Sequence, residues 1–150
     1  MSQPPVNWAA LPKQTILAEF DNNDYSTRKA GDCWRCCIAA VLGLPAAEVP
    51  HFLQESYDSI KHDHKGCDEL TQEWLAARGY SLARIHGHLS FDYAWKLRQP
   101  PVIKCGPSPR SRKMHQHHAV VYVNDEMVYD PHPDNTGLTA ISDQYLIIKL

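Results

Sequence analysis

His117-His118-Ala119-Val120-Val121-Tyr122-Val123-Asn124-Asp125-Glu126-Met127-Val128-Tyr129-Asp130-Pro131 decides how the rest of the chain is read. Ala119 to Val123 is apolar and β-branched, Asn124-Asp125-Glu126 supplies a turn, and Met127 to Tyr129 returns, which predicts a β-hairpin. In such a hairpin His118 opens the first strand and Asp130 ends the second, so an imidazole and a carboxylate fall near the same open end. A carboxylate there fixes the imidazole tautomer and stabilises the imidazolium. Pro131 holds Asp130 at a rigid exit from the sheet.

Working outward, Val102 to Cys105 reads as a strand followed by a Gly-Pro-Ser-Pro loop, and Gln144 to Leu150 as the last strand. Tyr80 to Ile85 suits another. The first third reads differently. Trp34, Cys37, Ile38 and Val41 recur at helical spacing behind Asp32, an expected N-cap, and Leu42-Gly43-Leu44-Pro45 stops the run. A second helix is expected over Pro45 to Gln54, interrupted near Pro50, with loop from 55 to 67. A third is expected over Asp68 to Arg78, with Leu70, Trp74 and Ala77 on one face and Gly79 as its stop. A short helix is expected from Ser90 to Arg98, ahead of Pro100-Pro101. Residues 1–13 are Pro-rich, Gln14 to Phe20 is a short strand or extended arm, and Asp21 to Asp32 a polar loop. Helices come first and an antiparallel sheet second, an α+β layout.

The 150 residues make one domain, able to bury roughly 68–70% of the unfolded surface. A net charge of −2 gives no basic footprint for nucleic acid, and Arg110-Ser111-Arg112-Lys113 is too short to supply one. Neither a signal-peptide layout nor an apolar run of membrane-spanning length is present in the sequence. The expectation is a cytoplasmic protein without a membrane or nucleic-acid partner. Five cysteines, an odd number with three crowded at 33, 36 and 37, do not form a secreted disulfide framework.

Cys33 follows a Gly-Asp turn at the start of the first helix. Free backbone N–H groups and the positive end of the helix dipole stabilise a thiolate at such a position, and the same N–H groups can receive an oxyanion. Cys36 and Cys37, one turn further, read as core residues. Chain order is then a helix-start Cys, a strand-start His and an Asp on the partner strand.

Gly31-Asp32-Cys33-Trp34-Arg35-Cys36-Cys37-Ile38-Ala39-Ala40, with Leu42-Gly43-Leu44-Pro45 and Glu48-Val49-Pro50-His51-Phe52, resembles a group of small phage and bacterial papain-like cysteine peptidase-like proteins. Ser108-Pro109-Arg110, His118-Ala119-Val120-Val121-Tyr122, Asp130-Pro131-His132-Pro133 and Gly137-Leu138 resemble that group's later motifs. The likeness covers residues 31–52 and 106–138, and the order of motifs is similar in logic to that of bacteriocin-processing peptidases. It implies a papain-like fold, Cys33 as nucleophile, His118 as base and Asp130 as the orienting carboxylate. His118 is preferred to His117 because it directly precedes Ala-Val-Val. The papain-type oxyanion glutamine has Gln14 as its candidate, farther upstream of the cysteine than is usual. The implied chemistry is attack of Cys33 on a peptide, isopeptide or other amide carbonyl of a peptide or protein substrate, through an acyl-enzyme and without a cofactor.

Trp34, Arg110 and His117 are candidate substrate contacts, Arg110 with Arg112 for an anionic group. Against these stand a core role for Trp34, alongside Trp74 and Trp95, and a solvated basic loop for the arginines. Deamidase and acyl-transferase chemistry use the same thiolate, and a papain-like shell can also serve as a binding module. Cys33-Trp34-Arg35-Cys36 has the form of a redox motif, but the polar stretch before it is not the buried strand that such a motif follows. His62, His64 and Cys67, and likewise His115, His117 and His118, match no zinc template, so no metal is expected.

Overall fold

The computed structural model describes residues 6–17, 29–86, 100–111 and 116–150. Among these, three helices precede most of a five-stranded antiparallel sheet, an α+β arrangement. The expected helix at Ser90–Arg98 and Trp95 lie outside the described residues, as do residues 18–28 of the polar loop and arm. Gln14 to Leu17 runs as irregular backbone outside the sheet.

Helix α1 spans Cys33–Leu42, and Gly43, at φ 70°, ends it in the left-handed conformation with its N–H turned back to the Ala39 and Ala40 carbonyls. The run from Pro45 to Gln54 is interrupted at Pro50, as expected. Val49, preceding Pro50, is held extended at φ −101° and ψ 129°, because the proline ring excludes the helical conformation from the residue before it. A 3-10 turn at Ala46–Glu48 and helix α2 at Phe52–Asp58 flank the break, so α2 runs into the stretch expected as loop. Helix α3 spans Cys67–Ala76 and buries Thr71 and Leu75 fully. Ala77, expected on the buried face, is exposed, whereas Trp74 packs edge-on against Phe52 at 5.8 Å and carries the Arg78 guanidinium over its ring.

The strands are β1 (Tyr80–His86), β2 (Val102–Pro107), β3 (His117–Val123), β4 (Glu126–Tyr129) and β5 (Asp143–Lys149), in the spatial order β1-β5-β2-β3-β4. The β3–β4 turn is two residues, Asn124 at φ 51° and Asp125 at φ 63°, the left-handed pair that suits the twist of a hairpin. Glu126 therefore already belongs to β4, opposite Val123. Val121 faces Tyr129 while Tyr122 faces Met127, so Val128 is an extra residue that bends β4 just before Asp130. Helix α1 packs on β3, and Cys37, Ile38, Phe52, Ile103 and Val121 form the centre of the core. No single helix among the described residues is long and apolar enough to cross a membrane.

Gly106 on β2 is paired with His118 in register and lies beneath residue 140. A Cβ there would overlap the Ala140 carbonyl oxygen. Gly106→Ala is expected to destabilise the chain by about 1–3 kcal/mol or more, since backbone must give way rather than a flexible side chain. A urea midpoint unchanged by the substitution would show that the 138–142 segment does not press on β2.

Candidate active site

Cys33 is the first residue of α1, half-buried, with N–H groups of the first helical turn unbonded within the helix. Asp32 precedes it at the N-cap position but does not cap: no side-chain bond runs back to the helix. Its Oδ1 instead accepts the Ile16 N–H at 3.2 Å, and its Oδ2 accepts Arg35 Nη2 at 2.7 Å. The expected cap is thus replaced by a tie between α1 and a segment distant in sequence. All five thiols are free. Burial pushes Cys36 and Cys67 each up to about 12 and holds Cys37 and Cys105 well above the ordinary thiol range. These four remain neutral at physiological pH.

His118 is 7% exposed and Asp130 fully buried. His118 Nε2 donates to Asp130 Oδ1 at 2.7 Å, which leaves Nδ1 for the hydrogen bond that the ring shares with the Cys33 thiol. Burial by itself would lower the His118 pKa. The bonds to Asp130 and Cys33 outweigh it and raise the group to about 9. Burial would likewise raise Asp130, but His118 and the backbone N–H groups of His132 and Gly137 hold it below the usual carboxylate range. His132 N–H reaches Oδ1 at 2.9 Å and Gly137 N–H reaches Oδ2 at 2.8 Å. Gly137 sits at φ 70°, a conformation that favours glycine and turns its N–H inward.

Gln14 is buried and bonds to the two segments that flank Asp130 and Cys33. Its backbone N–H donates to Pro131 O at 2.8 Å, next to Asp130, and its Nε2 donates to Ile16 O at 2.8 Å. Ile16 O also accepts the backbone N–H of Asp32 at 3.1 Å, the residue before Cys33. Lys13 reinforces the other side, donating to the Asp130 carbonyl and to Asn135 Oδ1. The Gln14 amide and the Asp32 backbone N–H therefore meet at one acceptor, the Ile16 carbonyl.

The candidate substrate contacts are placed differently. Trp34 is 6% exposed, donates Nε1–H to Thr71 Oγ1 at 2.9 Å and packs edge-on against Tyr145, so its ring is spent on the core. Arg110 Nη1 lies 2.7 Å from both oxygens of Asp134 and 2.9 Å from Thr136 Oγ1. Burial would raise Asp134, yet these partners pull it down to about 2, and Arg110 serves to pin the 134–136 loop. His117 is exposed at the start of β3, next to His118. Arg112 and His115 lie outside the described residues. Among the described residues no group of three or more His, Cys, Asp or Glu side chains is gathered to hold a metal ion.

Two features of the site were not read from the sequence. The His132 ring stands edge-on to His118 with centroids 6.1 Å apart, and the His132 and Gly137 amides fix Asp130. Asp-Pro-His-Pro followed by a glycine carried the only signal for the second, a tight turn after a strand. Comparisons of the sequence with protein-family models and curated proteins, and of the structure with solved structures, find no match.

Proposed function

We propose that the chain is a papain-like thiol hydrolase, with Cys33 as nucleophile, His118 as general base and acid, and Asp130 as the residue that orients the imidazole. One observation carries this reading: a thiol at the first residue of a helix shares a hydrogen bond with an imidazole whose far nitrogen is held by a buried carboxylate at 2.7 Å. The chemistry follows from the geometry. Cys33 Sγ attacks an amide carbonyl while His118 holds the thiol proton, and the developing oxyanion lies against the Cys33 N–H and the Gln14 amide. His118 then passes the proton to the departing amine as the C–N bond breaks. Water, activated by the same imidazole, resolves the thioester; an amine in its place would make the reaction a transfer.

A redox role for Cys33 and Cys36 is disfavoured, since burial holds Cys36 near 12 and leaves it almost without thiolate at neutral pH. A peptide or isopeptide substrate is the proposal, and the fold by itself does not select among them.

The test is the rate at which each cysteine reacts with iodoacetamide across pH, located by peptide mass spectrometry, in the wild type and in His118→Ala. Fast labelling of Cys33 at neutral pH, slowed about 10²-fold or more by loss of His118, is expected. Slow and uniform labelling that ignores His118 would reduce the site to a binding groove without chemistry.

A further inference from the structure

Asp32 is a buried carboxylate that directly precedes Cys33 at the N-cap position of α1. It is 1% exposed, and its charge contributes to raising the Cys36 thiol. It does not cap α1. What it does is grip the Ile16 peptide from both ends, Oδ1 taking its N–H and the Asp32 backbone N–H bonding its carbonyl. That same carbonyl holds Gln14 Nε2, while Arg35 at 2.7 Å neutralises the carboxylate on the side away from Ile16. Gln14 Oε1 has no hydrogen-bond partner among the described residues, so the grip on Nε2 through Ile16 and the backbone bond to Pro131 orient this side chain.

We infer that Asp32 is a positioning residue for the oxyanion hole: through Ile16 it holds the Gln14 amide, the second donor proposed for the oxyanion. The inference rests on the thiol-hydrolase reading. Asp32 touches no reacting atom. It acts by fixing the distance between two donors that come from separate parts of the chain, and an oxyanion donor displaced by an ångström loses most of its effect.

Two reagents separate this role from a merely structural one. Iodoacetamide alkylates Cys33 by displacing iodide at a saturated carbon, with no oxyanion. With 4-nitrophenyl acetate, an S–C bond forms at the carbonyl, an oxyanion develops, and the ester C–O bond breaks to release 4-nitrophenolate, the thiol proton passing to His118. In Gln14→Ala, acylation is expected to slow by about 10²–10³-fold relative to alkylation. Asp32→Ala is expected to show the same split, about 10-fold or more, and the double variant to be no slower than the slower single one, because both remove the same donor. Asp32→Asn retains an oxygen for the Ile16 N–H and is expected to recover most of the acylation rate. Asp32→Ser, which is too short to reach both partners, replaces the alanine variant if that chain does not fold.

Equal slowing of both reactions in the Asp32 variants, or acylation at the wild-type rate, would overturn the inference while leaving the hydrolase reading intact. Slow reaction of wild-type Cys33 with both reagents would overturn the hydrolase reading itself, and this role with it.

Discussion

Replacing Cys33 with alanine is expected to abolish acylation by 4-nitrophenyl acetate and any amide turnover while costing the fold only about 1 kcal/mol. The side chain is half-buried and gives up a single hydrogen bond to His118, a loss of that order. No other thiol can take its place, because burial keeps Cys36, Cys37, Cys67 and Cys105 protonated. Activity in the wild type is expected to fall as pH rises through about 9. His118 must carry a proton to deliver to the leaving amine, and above its raised pKa it does not. Circular dichroism of Cys33→Ala beside the wild type, with the pH dependence of kcat/KM, checks both statements. Residual turnover in Cys33→Ala would remove the assignment.

Asp130→Ala is expected to be the most damaging single change to both stability and activity. The fully buried carboxylate receives three hydrogen bonds, and its loss strands the imidazole together with the His132 and Gly137 N–H groups. Removing one partner of such a buried pair costs about 3–5 kcal/mol. The pH dependence has a definite sign. His118 is raised from 6.5 to about 9 in the fold, so the stability this contributes is fully present below about 6.5 and is lost as pH rises through about 9. Asp130 is lowered, so its own contribution persists above its ordinary value of 3.8 and disappears as pH falls through the depressed one. The stability gap between wild type and Asp130→Ala, measured by urea denaturation, should therefore be larger at pH 6 than at pH 9.5. The gap that remains at the higher pH reports the two stranded amides. A gap that widens with pH would mean that the imidazole is not held by this carboxylate.

Local pattern in the sequence determined the elements that carry the site. Helical spacing from Trp34 to Val41 and the Gly43 stop define α1 with Cys33 at its start. The β-branched run from Ala119 and the Asn124-Asp125 turn define the hairpin that carries His118 and Asp130 at one end. Such signals survive in one dimension because they depend on neighbours a few residues apart and on backbone conformations that only certain side chains adopt.

Tertiary structure alone decided the polar partners. Asp32 reads as a cap until Ile16 arrives to claim its oxygen, and Arg110 reads as an anion contact until Asp134 folds back on it. Trp34 is committed to the core by Thr71, on a different helix. The sheet order, with β5 inserted between β1 and β2, is equally invisible in the local pattern. The physical reason is common to all of these. Apolar periodicity tells a segment which face to bury, but a buried polar group must be satisfied by whichever donor or acceptor the packed chain brings to it, and that partner is chosen by the meeting of distant segments.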